Sequence, residues 1–241
     1  MTGSVTATLV AALTGLCAAI VVIAIAILPF LSPPWVSFEQ GRAQSAAWTG
    51  YTPAELETAT NAILHDLVLG PPAFAVQVNG QPVLEERERA HMRDVRGVFA
   101  GFSAIALVAA VVLVALVAIA YRRGRPRRAW RAIQVGMQCL AVAIVIAGVI
   151  ATFFFDTAFE VFHELFFPAG SFTFDARTDR LVQLFPDAFW SETTLVLGVW
   201  ILVLAALVWL IARHLARRTP APAPVGSDPL TASFSPRGEA S

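Results

Sequence analysis

Two of the four histidines in this 241-residue chain, His91 and His163, stand among carboxylates and aromatic rings at the ends of long apolar runs. An imidazole titrates at ~6.5, so a pair of them near neutral pH can take up one proton and deliver another, or ligate a metal. His163 lies inside the stretch Phe153–Trp190, where phenylalanines crowd around it and acidic residues alternate with them. Rings carrying a polar group at the end of an apolar run are what the water–lipid interface selects. A titratable ring held there is suited to chemistry on a molecule that is itself half lipid.

Composition sets the frame for these residues. The chain is 57% hydrophobic and 14% charged, too apolar for an ordinary soluble domain and suited to a small polytopic membrane protein. It contains no lysine, so no lysine can act as nucleophile or base. Its two cysteines, Cys17 and Cys139, both fall in apolar runs and read as small packing residues rather than a disulfide framework.

Four segments are long and apolar enough to cross a bilayer, which takes ~20 residues each. The first has its core at Leu9–Leu31 and no charge from Met1 to Ser37. It reads as a span rather than a cleaved signal peptide, because no basic residue precedes it and no small-x-small site follows. The others are Gly97–Tyr121, Ala132–Phe155 and Thr193–Ala212. The second is introduced by Glu85–Arg96, rich in helix formers, so one helix is expected from near Leu84 to Tyr121. The third is expected to run on as helix until Pro168–Gly170. The expected fold class is an all-α integral membrane protein with four transmembrane helices and two extracytoplasmic loops. The first loop holds a short amphipathic helix: Thr52 and Glu55 have capping-box spacing around Pro53, and Leu56, Ala59, Ile63 and Leu67 line one face. His65 falls on that helix's polar face. Residues 1–218 form the transmembrane domain, and 219–241, rich in Pro, Ala and Ser, a disordered cytoplasmic tail.

Charge orients the spans. Six arginines crowd Arg122–Arg131, and Arg213, Arg217, Arg218 and Arg237 fall on the same side, against Asp228 and Glu239 alone. The positive-inside rule then places both termini and the arginine turn in the bacterial cytoplasm and both histidines outside. The turn itself is explained by topology and needs no partner beyond lipid headgroups.

Spans two and three, joined by that short turn, should be antiparallel neighbours. His91 lies 31 residues before Arg122 and His163 lies 32 after Arg131. At ~1.5 Å per residue, both stand about 47 Å from the turn, at nearly the same height. On its helix face His91 is accompanied by Arg87, Glu88 and Asp94, with Arg93 close by; His163 is accompanied by Asp156, Phe159 and Glu160. Each face turns apolar deeper in the membrane, a groove that could admit acyl chains and hold their ester head at the polar end. Two other readings share these residues. One is a metal-dependent membrane hydrolase using both histidines with Asp94, Asp156 or Glu160. The other is a non-enzymatic sensor or accessory protein, in which the histidines hydrogen-bond neighbouring carboxylates for structural reasons.

Several motifs are absent. His163-Glu164 begins like H-E-x-x-H, but Phe167 takes the second histidine position. Glu85-Glu86 resembles the acidic motif of CAAX-type intramembrane proteases, but the arginine arrives one residue early, at Arg89. No nucleophile elbow, phosphate loop or nucleic-acid module occurs, and no cofactor or metal pattern is found.

The stretches E-R-A-H-M-R-D-V-R (Glu88–Arg96), F-H-E-L-F-F (Phe162–Phe167) and D-A-R-T-D-R-L-V-Q-L-F-P-D-A-F-W (Asp175–Trp190), in this order and topology, resemble the lipoprotein intramolecular transacylase (Lit) family of small four-span bacterial membrane proteins. The resemblance covers roughly Ala7 to Arg213. Where that family usually has a tryptophan and an Asp-Pro, this chain has Phe172–Phe174 and Asp175-Ala176. The resemblance implies an acyltransferase of the cell membrane, working without a cofactor on diacylated lipoproteins. It would move the sn-2 ester chain of the S-diacylglyceryl cysteine to the α-amino group of that cysteine, giving the lyso-form. It also implies that His91 and His163 are the catalytic pair, with either one able to be the base. Arg87 or Arg93 would be available as a further donor.

Overall fold

The computed structural model describes residues 2–219; all of the expected tail except Thr219 lies outside them. The elements in chain order are α1 (Thr2–Ile27), α2 (Pro33–Arg42), α3 (Ser45–Thr49), α4 (Pro53–Val68), a two-stranded hairpin of β1 (Gln77–Val78) and β2 (Gln81–Pro82), α5 (Glu86–Arg122), α6 (Pro126–Phe153), α7 (Phe155–Phe166), α8 (Arg180–Leu184) and α9 (Asp187–Arg218). Helices α1, α5, α6 and α9 supply four stretches long and apolar enough to cross a membrane.

The bundle is seated on small residues. Between helices already surrounded by lipid there is no hydrophobic drive, and close backbone approach does the packing instead. A Cβ added at Gly136 of α6 would strike the backbone of Gly15 on α1, and one at Gly15 would come within 3.0 Å of the Ala132 carbonyl. Around this crossing, Ala18, Val22 and Ala26 of α1 meet Ile133, Met137 and Leu140 of α6 and Ile201, Ala205 and Ala212 of α9. Helix α6 packs mainly against α9 and α1, while α5 lies chiefly along α1 and touches α6 only lightly. The short turn therefore does not make α5 and α6 close neighbours; the glycine crossing brings α1 into that place. Cys17 is buried in the bundle, Cys139 faces outward, and both are free thiols.

A head is built at the N-terminal ends of α5 and α9 from both loops together. The N-terminus of α4 is closed by reciprocal bonds, the Glu55 amide donating to Thr52 Oγ1 at 3.4 Å and the Thr52 amide to Glu55 Oε2 at 2.8 Å. Its stripe of Leu56, Ala59 and Ile63 is buried, with Leu67 packed at the edge. Phe74, Val76, Val78, Val83 and Leu84 cover it, and Met92 from the foot of α5 and Leu181 and Leu184 from α8 complete the same core. A polar seam locks α8 to the first loop. The carbonyl of Leu184 accepts from Gln40 Nε2 at 3.1 Å and Ser45 Oγ at 3.0 Å, Thr60 Oγ1 donates to Gln40 Oε1, and Arg180 Nη1 donates to the Thr49 carbonyl at 2.7 Å.

The third span departs from the expected continuous helix. Helix α6 ends at Phe153; Phe154 takes φ −138° and ψ 37°, and α7 begins at once. The hydrogen bonds of Phe154 to Ile150 and of Ala158 to Phe154 carry the chain round this corner, with no glycine or proline to announce it. The physical reason is a change of surroundings. Helix α6 is apolar for most of its length, whereas α7 sets Phe155, Phe159, Phe162 and Phe166 against Asp156, Glu160 and Glu164, an amphipathic pattern suited to an interface.

Candidate active site: two facing histidines in an aromatic collar

His91 lies in the second turn of α5, whose N-terminus is fixed by Glu88. That carboxylate is buried, and its two oxygens accept from the Glu85 amide at 2.7 Å and the Leu181 amide at 2.6 Å. Glu88 thus closes the start of α5 and binds it to α8, an anchoring position rather than one facing the histidines. Lower on α5, the Arg96 guanidinium donates to the carbonyls of Asp66 and Gly70 and holds the end of α4.

His163 lies in the last turn of α7, and its Nδ1 is 2.7 Å from the Phe159 carbonyl. A carbonyl oxygen only accepts, so Nδ1 carries the hydrogen and the neutral ring presents a lone pair at Nε2. The imidazoles of His91 and His163 face each other with centroids 6.0 Å apart and planes inclined by 22°. His91 is buried, and its Nδ1 has no hydrogen-bond partner. The sequence-based expectation that the two residues stand level is met, though by the corner at Phe154 and the turn of α7 rather than by adjacent straight spans.

Phenylalanines surround the pair. Phe167 is 4.9 Å from the His91 ring and 5.4 Å from His163, Phe174 is 5.4 Å from His91, and Phe172 is 5.4 Å from His163. Phe159 lies tilted against His163 at 4.1 Å and reaches Trp190 of α9 at 6.3 Å. Residue types alone did not single out Phe172 or Phe174; they join the site through the loop between α7 and α8. The signal available was their local density in the stretch around His163.

The polar residues expected to support the pair divide into two groups. Arg87 is turned to the loop, with Nη1 donating to the Thr173 carbonyl at 3.0 Å, Nη2 to Asp179 at 2.7 Å and the guanidinium 5.0 Å from the Phe174 ring. Arg93 is paired with Glu86 at 2.7 Å. Both guanidiniums are therefore engaged with protein groups. Asp94 is half-buried on α5, while Asp156 and Glu160 are exposed on α7. No hydrogen bond joins either histidine of the pair to a carboxylate among the described residues, so the structural partnership weighed for them does not form. Nor do three or more His, Cys, Asp or Glu side chains converge anywhere among the described residues, the set that the metal-hydrolase reading needs. Asp179 was not foreseen at all: it is buried at the head of α8, and its Oδ2 also accepts from the Asp175 amide at 2.7 Å. On the exposed side of the same loop, the side-chain hydrogen bond from Arg177 holds the Asp175 carboxyl below the ordinary carboxylate range.

Comparison with known proteins places this arrangement. No curated protein matches the chain. The fold is similar to a crystallised membrane integral lipoprotein intramolecular transacylase, Lit, from Bacillus cereus, with TM-score 0.75 and 16% identity over 89% of this chain and 98% of that one. Two structures of the same Bacillus cereus protein with a single histidine replaced, by arginine and by alanine, match at 0.73 and 0.72, again at 16% identity. They cover 90% of this chain and 94% and 96% of theirs. The family model described as lipoprotein intramolecular transacylase Lit matches residues 10–190, which takes in the bundle from α1 to α6, the head, and both histidines. This chain belongs to the lipoprotein intramolecular transacylase family: it is a membrane-integral enzyme of that family, whose substrates are lipoproteins.

Proposed function

We propose that the enzyme moves the sn-2 ester acyl chain of a diacylglyceryl-cysteine lipoprotein to the α-amino group of the same cysteine, with His91 and His163 as its catalytic pair. The observation that carries this is the facing of the two imidazoles at 6.0 Å, one with a defined Nε2 lone pair and the other buried with a free Nδ1. An α-amino group has a pKa of ~8, so proton exchange with an imidazole near neutral pH is feasible. His163 Nε2 takes the proton from the amine as nitrogen bonds to the ester carbonyl carbon. The bond from that carbon to the glycerol oxygen then breaks, and the glycerol oxygen receives a proton. His91, a neutral ring facing the same centre, steadies the oxyanion with a hydrogen bond, and the proton taken by His163 is the one that passes to the departing glycerol oxygen, so both rings end as they began. No enzyme nucleophile is required, because amine and ester belong to one substrate and only need to be held together.

The geometry also supports a place for the substrate. Helices α5 and α6, which lead up to the two histidines, touch only lightly and leave room between them. Acyl chains enter there from the bilayer while the cysteine and its ester stay at the polar end. With the arginine turn in the cytoplasm by the positive-inside rule, the head and site are extracytoplasmic, where mature lipoproteins are presented. Expression of the chain in a host that otherwise makes only diacylated lipoproteins, followed by mass spectrometry of lipoprotein N-terminal peptides, tests this. The expected product carries one chain on nitrogen and one on glycerol. Unchanged diacyl peptides, from cells with the protein in the membrane, would refute it.

A further inference from the structure

The loop from Phe167 to Asp179 forms the wall of the histidine pair, and one buried carboxylate holds that loop in place. Asp179 is 7% exposed. It accepts from Arg87 at 2.7 Å, from the Asp175 amide at 2.7 Å and from Thr178 Oγ1 at 3.2 Å. The same Arg87 donates to the Thr173 carbonyl and lies over the Phe174 ring, and Phe174 sits edge-on to His91 at 5.4 Å. An ion pair between α5 and the head of α8 thus grips residues 173–175 from two sides and presses an aromatic ring onto a histidine. Nothing in the proton transfers above uses Asp179.

We infer that Asp179 is a positioning residue which, through Arg87 and Phe174, keeps the aromatic collar closed and so directs the acyl group to the amine rather than to water. The inference rests on the transacylation proposed above. An ester carbonyl between two imidazoles is open to either nucleophile. In the competing reaction, water oxygen bonds to the carbonyl carbon and the bond to the glycerol oxygen breaks. The glycerol oxygen takes a proton, and a free fatty acid leaves in place of an amide. A dry, shaped wall suppresses that route, and holding the amine at bonding distance favours transfer. Phe167, Phe172 and Phe174 supply the wall, and the Asp179–Arg87 pair is what fixes its free edge.

The test compares Asp179→Asn, Phe174→Ala and Arg177→Ala with the wild type in membranes containing a diacylated lipoprotein. N-acylated peptide and released fatty acid are quantified together. Asp179→Asn keeps an oxygen for the Asp175 amide but removes the charge that holds Arg87; Phe174→Ala removes the ring and leaves the ion pair. Both should lower transfer, by up to ~10²-fold for a misplacement near 1 Å, while hydrolysis falls less, so the ratio of fatty acid to transferred chain rises. Arg177, exposed and paired only with Asp175, should leave the ratio unchanged when replaced by alanine. A loss of transfer at constant ratio in both variants would overturn the inference and leave Asp179 a fold-stabilising group. If Asp179→Asn fails to reach the membrane, Phe174→Ala decides alone: a raised ratio supports the wall and an unchanged one overturns it. Absence of N-acylated product from the wild type would instead refute the transacylation, a result separable from either.

Discussion

The bundle and the head of this protein hold together by different means, and the difference locates the chemistry. In the bundle the closest packing is backbone on backbone, with Gly15 against Gly136 and alanines around them, and polar groups take little part. In the head, an apolar core is laced with buried polar side chains, Glu88, Gln40, Ser45, Thr60 and Asp179, each paired to a backbone or side-chain partner from another segment. A small-residue crossing fixes how closely two helices approach. A satisfied buried polar group fixes direction as well. The histidine pair sits at the boundary, its depth set by the bundle and its facing set by the head.

The largest effect should come from the pair itself. His91→Ala or His163→Ala should each remove about 10²–10⁴-fold of the N-acylated product, the range for losing a positioned acid–base group. The double variant should cost little more, as for residues that act as a unit. Quantitative mass spectrometry of lipoprotein N-termini at matched membrane levels measures this. Multiplicative losses would show two independent roles and break the reading of a single facing pair.

Glu88→Ala is next. It strips the partner from the buried Leu181 amide, costing about 1–3 kcal/mol when left unpaired, and removes the capping bond to the Glu85 amide, worth about 1 kcal/mol. The thermal unfolding midpoint of the detergent-purified protein should drop, and activity should fall below that midpoint too, because α8 and the collar loop hang on this carboxylate. Gly136→Leu is its counterpart in the bundle. Even the first carbon of that side chain strikes the Gly15 backbone, so the cost should be at least the ~1–3 kcal/mol of ordinary overpacking in the same melt, yet the fraction still folded should turn over as the wild type does. If the two variants changed turnover alike, the division of labour between bundle and head would be wrong.

The sequence made some of this plain and hid the rest for physical reasons. Spans were legible because a bilayer demands a length and a polarity that few other structures imitate. The start of α4 was legible too, because Thr52 and Glu55 close it locally. The corner at Phe154 was not, since no residue type there forbids helix and the turn answers to surroundings rather than propensity. Arg87 and Glu88 were marked as polar company for His91, but their direction depends on Asp179 and Leu181, some ninety residues away. Nothing in local spacing encodes a partner at that distance. The pairing of α5 with α1 was hidden in the same way, because a short turn constrains the ends of α5 and α6 and not the faces they bury.

The smallest effects should fall on the two histidines outside the pair, and they sharpen the comparison because the residue type is the same. His65 is on α4, in the head, with its side chain 60% exposed and Nδ1 3.3 Å from Asp66. Asp66 already accepts from the Phe74 amide through its other oxygen at 2.8 Å, so the loop end it fixes does not depend on the imidazole. His214 is exposed near the far end of α9, the whole bundle away from the collar. Exposed substitutions away from such features stay within about 0.5 kcal/mol, so His65→Ala and His214→Ala should melt with the wild type and form as much N-acylated product. A histidine matters here only where an aromatic wall and a second histidine give it something to do. Loss of product in His65→Ala at normal membrane levels would move part of the site onto the first loop. Loss in His214→Ala would put a proton-handling group on the opposite side of the bilayer, and the facing pair could no longer account for the chemistry by itself.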